Sequence, residues 1–208
     1  IVGECGHAWR VAYSFWNTLS GIGGGAEDEY SLKLQKQLDN NYPQPQHMIE
    51  FTYDLIINNQ LSFDKSKNDH RVVTFHDSCN VARGSNMGDI SNGQFILPRE
   101  VIKAACNNFI DMPKNTIKSS TFCCGGGGGL LTDDLIDLRV KGAKPRMHAL
   151  KKSEQESGVN TLAAICAICK SQFSKVLPHY DFDPYMVVSV HQLVSDAIIL
   201  SENSDQKD

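Results

Sequence analysis

No apolar run in this sequence is longer than eight residues, LAAICAIC at 162–169. A helix needs roughly 20 apolar residues to cross a bilayer, so no segment is expected to span a membrane. No charged leader with an apolar centre opens the chain, and no secretory signal is read. Positive charge is not in surplus either: 20 Lys and Arg face 24 Asp and Glu, a net −4, and nucleic acid is not expected as a partner. An initiator methionine is missing too. The chain begins at Ile1 on a short apolar stretch ending in a cysteine, and is expected to be a portion of a longer protein.

What the chain does have is cysteine and glycine, concentrated in one place. Residues 122–130 read FCCGGGGGL. The seven cysteines are Cys5, Cys79, Cys106, Cys123, Cys124, Cys166 and Cys169. An odd number, with one adjacent pair and one C-x-x-C pair, is a poor disulfide framework for 208 residues. A reducing, cytoplasmic compartment and thiolate ligands are the better expectation. A 41% hydrophobic content allows a core for one large domain or one and a half smaller ones.

From residue 70 the chain alternates β-rich runs with helical patterns. The strands are read as RVVTFH (71–76), KSSTFC (118–123), TLAAIC (161–166) and MVVSV (186–190). Between and after them, 98–110, 145–158, a stretch through Gln172 and Val176, and 191–201 carry helical spacing. The alternation predicts an α/β fold, a mostly parallel, Rossmann-like sheet with helices on both faces. On that fold Cys79, Cys123, Cys124, Cys166 and Cys169 all fall at carboxyl ends of strands, the edge where open parallel sheets bind ligands. Cys106 lies within a helical pattern and reads as an ordinary buried thiol.

Four uses of such an edge compete. A P-loop requires Gly-Lys-Ser/Thr, but Leu130-Leu131-Thr132-Asp133-Asp134 follows the glycines, and two aspartates repel phosphate. A thioredoxin-like dithiol would account for Cys166-Ala167-Ile168-Cys169 but not for three further cysteines. A structural zinc takes four ligands in a tetrahedron, one fewer than are present. An iron–sulfur cluster can use all five. Gly125 and Gly126 then let the backbone approach a bulky inorganic body and donate N–H groups to its sulfides.

HDSC (76–79), FCCGGGGG (122–129) and CAIC (166–169) together resemble the cysteine-rich CCG domain of heterodisulfide reductases, at slightly longer intervals than usual. GECGHAWR (3–10), ARGSNMGD (82–89), GQFILPRE (93–100) and VSVHQLVSDAIIL (188–200) extend the resemblance over essentially the whole chain. These stretches look like the heterodisulfide-reductase-like catalytic subunit of the membrane-bound redox complex of dissimilatory sulfur metabolism. The resemblance implies one non-cubane [4Fe-4S] cluster on Cys79, Cys123, Cys124, Cys166 and Cys169. It further implies reduction, or formation, of a disulfide or trisulfide by one-electron steps at that cluster. The implied substrate is a small sulfur-carrier protein. The implied partners are other subunits of the complex, including a quinone-linked cytochrome, at the inner face of the membrane. An electron-relay subunit of a quinone-linked lactate, glycolate or glycerol-phosphate oxidoreductase is the alternative on the same scaffold. A zinc-stabilised interaction module is the alternative from another class.

The family often carries two such halves, and the chain is expected to be pseudo-repeated with its first half incomplete. Glu4-Cys5-Gly6 is aligned with Cys123-Cys124-Gly125, and His47-Met48-Ile49 with His191-Gln192-Leu193. Residues 1–64 are read as the end of a degenerate first half, 65–202 as the complete cluster-binding domain, and 203–208 as a polar tail. Cys5 is a candidate to line the substrate pocket, or a leftover buried thiol. His76 is a candidate proton carrier, or a histidine that holds a turn; His7 sits beside a cysteine motif in the same way. Lys170 offsets a cluster's charge or points to solvent. Arg139, Lys141, Lys144, Arg146, Lys151 and Lys152 read as a solvated basic surface or a steering patch. Trp9 and Trp16 are expected in the core or an interface.

Overall fold

Two runs of four consecutively buried residues, Val73–His76 (β3) and Thr161–Ala164 (β4), lie side by side at the centre of the protein. A computed structural model describes residues 2–19 and 46–200, and side chains at all of these except 14–19. Strands buried on both faces need cover from helices above and below, which is the setting of parallel sheets. The third strand, β5 (Val187–Ser189), extends the sheet in the order β3-β4-β5, all parallel. Val73 stands opposite Thr161, and Leu162 opposite Val187.

Side chains alternate across each strand. Val73, Phe75 and Ala163 face one apolar cluster, completed by Leu97, Val101 and Ile102 of α4 (Gly93–Ala105) and Leu193 of α7 (Val190–Ala197). Leu162 faces the other, with Met147 and Leu150 of α5 (Ile136–Ser157) and Phe173 of α6 (Ala167–Val176). The α/β architecture with helices on both faces is therefore observed.

One expected strand is not. Residues 118–120 form a single 3₁₀ turn, entered through Lys118 at φ +55, a value no strand residue adopts. Asp77, just past β3, explains the turn: its Oδ2 accepts from the Lys118 N–H at 2.8 Å, and its carbonyl accepts from the Thr121 hydroxyl at 2.7 Å. The segment is tied to the end of β3 by these bonds rather than by a ladder. Two helices also begin earlier than expected. α4 and α5 run through Pro98 and Pro145, which had read as helix starts. The last helix stops at Ala197 instead of 201.

Upstream, β1 (Val2–Gly3) pairs in parallel with β2 (Gln46–His47), and each leads into a helix, α1 (Gly6–Leu19) and α2 (Met48–Ile57). This unit matches β4–α6–β5–α7 position by position. Cys5 lies two residues past β1 and immediately before α1, as Cys166 lies relative to β4 and α6. Gly3 pairs with His47 as Ala164 pairs with Ser189. His47 and Ser189 both cap the helix that follows, each accepting from the N–H two residues on. The alignment of Glu4-Cys5-Gly6 with Cys123-Cys124-Gly125 is thus corrected: strand register equates Cys5 with Cys166, and His47 with Ser189 rather than His191. Trp9 is buried in the first core cluster, as expected; Trp16 and the polar tail lie outside the described side chains.

Candidate metal centre

Cys79 opens α3 (Cys79–Gly84) just after β3, where Asp77 and Ser78 are both buried. Cys166 caps α6 in extended conformation, and Cys169 follows in its first turn, so the two share one face of the helix entry. Cys123 and Cys124 arrive on the segment that Asp77 anchors. The five sulfurs form an unbroken chain of contacts: Cys79 to Cys123, Cys123 to Cys124, Cys124 to Cys169, and Cys169 to Cys166. Thiols from three separated loops thus meet in one place.

The chain has a charge pattern. Hydrogen bonds from Cys124 and Cys79 drive the Cys123 thiol far down, helped by backbone N–H groups of Gly125 and Gly127. The Cys169 thiol lowers Cys166 to about 5 against the opposing effect of burial; N–H groups of Cys169 and His7 and the Ser78 hydroxyl contribute too. The donors move the other way. Cys124 is pushed up to about 12, first by its bond to Cys123, and Cys79 and Cys169 also rise. Two thiolates held by three thiols make a soft, anionic donor set.

Gly125 donates to Cys123 Sγ at 3.3 Å and sits at φ +89. A Cβ there would lie 2.3 Å from the Arg139 carbonyl of α5, so only glycine fits. Gly126 gives its N–H to Cys124. Gly142 of α5 faces the same loop, and a Cβ on it would lie 3.6 Å from the Gly125 Cα, an ordinary contact.

His76 is fully buried, packed edge-to-face on Phe173 at 4.8 Å, and within 4.8 Å of the Cys124 and Cys169 sulfurs by one ring nitrogen. Burial, then the positive charge of Arg146, hold it neutral. His7 lies at the rim, its Nδ1 3.2 Å from Asn80 Nδ2. Cys5 is half-buried and packs on the cluster that contains Cys124, Cys166 and Cys169. Cys106 caps α4 on the other side of the sheet, its thiol raised to about 11 by burial.

Residues that sequence reasoning passed over complete the surroundings. The basic stretch is not all surface: Arg139 and Arg146 are buried. Arg139 Nη2, Arg146 Nε, Gln172 Nε2 and both nitrogens of His76 are buried without a hydrogen-bond partner among the described residues. Gln172 lies against Gly125 and Gly126, and Arg146 lies within electrostatic reach of the Cys123, Cys124 and Cys169 sulfurs. Unmatched polar nitrogens gathered around thiols are what an acceptor-rich inorganic body would satisfy.

Beside the thiols, Glu4 ties the first unit to the second. Its Oε1 accepts from Lys170 Nζ at 3.0 Å and from the Ser189 hydroxyl, and His191 Nδ1 lies 3.4 Å away. Burial alone would raise its pKa, but the bonds to His191, Ser189 and Lys170 outweigh it and bring the carboxyl to about 2. Lys170 therefore points to Glu4, not to open solvent. His47 is fully buried nearby, with Nδ1 accepting from Ile49 N–H. Burial, then repulsion from His191, depress it to about 4 against the pull of Glu4. A histidine depressed in the folded state takes up its proton first in the unfolded chain, so stability falls as pH drops through 6.5 toward 4. From pH 7 to pH 5 this one group is expected to cost about 2 kcal/mol. Urea midpoints of wild type and His47→Asn, which keeps a capping side chain, should converge at pH 5 relative to pH 7.

A family profile described as a cysteine-rich domain, CCG, matches residues 73–174, from the start of β3 to the body of α6. Two relatives match over 97% of this chain. The "Hdr-like menaquinol oxidoreductase iron-sulfur subunit 2" of Archaeoglobus fulgidus is 38% identical over 216 residues, and the corresponding subunit of Archaeoglobus profundus is 36% identical. The chain belongs to the heterodisulfide-reductase-like (Hdr-like) proteins. This Hdr-like chain spans 37% of the length of those relatives. No helix among its described residues is long and apolar enough to cross a membrane.

Proposed function

We propose that this chain is the sulfur-reducing module of a larger electron-transfer oxidoreductase, binding one non-cubane [4Fe-4S] cluster through Cys79, Cys123, Cys124, Cys166 and Cys169. The observation that carries the reading is the continuous chain of five sulfurs drawn from three loops. The unpartnered N–H groups of Arg139, Arg146 and Gln172, and the single N–H of neutral His76, fit the same body, since inorganic sulfide offers acceptors where the described residues offer none. Once bound, the cluster would supply one-electron chemistry and iron for a substrate sulfur. The chain's own residues do the rest. Gly125, Gly126 and Gly127 donate N–H groups, Ser78 a hydroxyl, and Asp77 keeps the Cys79 and Cys123 loops in register. His7 and Cys5, which belong to the first unit, border the thiols: the His7 N–H bonds to Cys166, and Cys5 packs on the same cluster. His76, buried and neutral, serves better as a hydrogen-bonding wall than as a proton carrier.

The substrate we propose is a disulfide or trisulfide, of a small sulfur-carrier protein. The partners are a quinone-linked membrane subunit and the other subunits of its complex, with the chain on the cytoplasmic side, at the inner face of the membrane. The relatives' names, subunits of menaquinol oxidoreductases, support electron exchange with a quinol pool. Residues 65–202 form the cluster domain, and 1–64 the end of a degenerate first half. The match of β1–α1–β2–α2 to β4–α6–β5–α7 supports that division, and Ala8 stands where Cys169 would, which leaves the first half without its own ligand set.

Anaerobic purification followed by iron, acid-labile sulfide and EPR measurement tests the reading. About four irons with matching sulfide per chain are expected, and Cys124→Ala should lose most of both. One zinc per chain, or a Cys124→Ala protein with full iron content, would overturn it.

A further inference from the structure

Helix α5 carries two guanidiniums with almost no contact with solvent. Arg146 is 0% exposed and Arg139 2%. A buried cation is ordinarily matched by a carboxylate, as Arg99 is by Asp77 and Asp111. Among the described residues neither Arg139 nor Arg146 forms a salt bridge. Arg146 donates only to neutral groups: Nη2 to the Thr116 carbonyl at 2.5 Å and to Thr121 Oγ1 at 2.8 Å, and Nη1 to the Met112 thioether at 2.9 Å. Its Nε has no hydrogen-bond partner among the described residues.

Among the described residues the acidic groups within its reach are Asp77, then the sulfurs of Cys124, Cys169 and Cys123. Asp77 is already committed, with both oxygens on Arg99 and one of them also on the Lys118 N–H. What remains opposite Arg146 is the sulfur site. The contacts also place Arg146 on the segment that delivers Cys123 and Cys124, since Thr121 is shared between Asp77 and Arg146 and the Phe122 ring lies 5.9 Å from the guanidinium carbon.

We propose that Arg146 is the counter-charge of the sulfur site, a buried positioning cation that favours each electron taken up there. This rests on the cluster reading given above. An electron delivered by an outside one-electron donor adds one negative charge to the site. A guanidinium keeps its proton at working pH, so it meets that charge with a fixed positive one and no proton transfer. Net charge and hydrogen bonding to sulfur are among the factors that set the potential of an iron–sulfur site. The same reasoning makes Arg146 costly when the site is empty and favourable when it is filled.

The test uses the protein purified anaerobically with its iron and sulfide, alongside Arg146→Met, Arg146→Gln and Arg146→Lys, with dithionite as the electron donor and redox mediators. EPR-monitored titration should show the reduction equilibrium of the Met and Gln variants weakened at least tenfold, about 59 mV lower for one electron. Arg146→Lys, which keeps the charge, should stay close to wild type. Thermal melts supply a second readout. The stabilisation gained on loading the cluster should shrink in Arg146→Met, while the iron-free variant melts no lower than the iron-free wild type. A loaded Arg146→Gln or Arg146→Met with wild-type potential would overturn the proposal, as would equal losses of melting temperature with and without iron. Absence of iron from wild type would overturn the cluster reading instead, and the counter-charge with it.

Discussion

Asp77→Ala is expected to destabilise the protein by about 3–5 kcal/mol, the cost of breaking a buried ion pair by removing one partner. Asp77 is 1% exposed at its side chain and holds Arg99 through two 2.8 Å bonds. Without it, Arg99 keeps only Asp111, which is 33% exposed, and the Phe95 carbonyl. The Lys118 N–H loses its acceptor at the same stroke, in a residue already held at positive φ. The damage is therefore local as well as global: the loop carrying Cys123 and Cys124 loses its carboxylate tie to the end of β3 and keeps only the Thr121 hydroxyl bond to the residue 77 carbonyl. Two comparisons separate this account from generic core damage. Asp111→Ala, at the more exposed end of the network, should cost about 1 kcal/mol or less. Asp77→Ala combined with Arg99→Met should recover part of the loss, because no unpaired cation remains. Urea denaturation of the three variants reads all of this, and a loss below 1 kcal/mol for Asp77→Ala would refute the anchoring role.

The same network shows why part of the centre was legible in the sequence and part was not. Cys166-Ala167-Ile168-Cys169 declares itself, because a strand of buried small and branched residues ends just before it and a helix starts within it. RVVTFH followed by HDSC is readable for the same reason. KSSTFC has the composition of a strand, but its path is decided by Asp77, a contact 41 positions away that no local pattern carries. The sequence of α5 misled in two ways. Pro145 looked like a helix start, yet the flanking burial of Ala143, Arg146 and Met147 holds the helix through it. Arg139 and Arg146 looked like surface charge among lysines. One available signal was their spacing of seven, which places both on one helix face, shared with Ala143 and Leu150. The register of β1 on β2 settles what composition could not: Cys5 corresponds to Cys166, although Cys-Gly in both Glu4-Cys5-Gly6 and Cys123-Cys124-Gly125 invites the other alignment.

Gly125→Ala is the second change expected to have a large effect, and it reports on the site more directly. Two penalties combine. The residue sits at φ +89, where an L side chain is strained by about 1–3 kcal/mol. The new Cβ would also stand 2.3 Å from the Arg139 carbonyl, 2.9 Å from Gln172 Nε2 and 3.0 Å from the Ala143 nitrogen. Two of these three atoms are backbone of a long helix and cannot turn aside, so the loop must move. Moving it withdraws the Gly125 N–H from Cys123 and disturbs those of Gly126 and Gly127. A total loss of about 3 kcal/mol or more is expected, with iron and sulfide content falling together. Gly128→Ala provides the contrast within the same run. Gly128 also has positive φ, +73, but the nearest atom to its Cβ would be His7 Cε1 at 3.8 Å, an ordinary contact. It should cost only about 1 kcal/mol and leave iron bound. If the two substitutions behaved alike, the glycines would matter only as a flexible run. If only Gly125→Ala loses iron, what matters is one glycine, pressed between helix α5 and the sulfur of Cys123, where there is no room for a side chain.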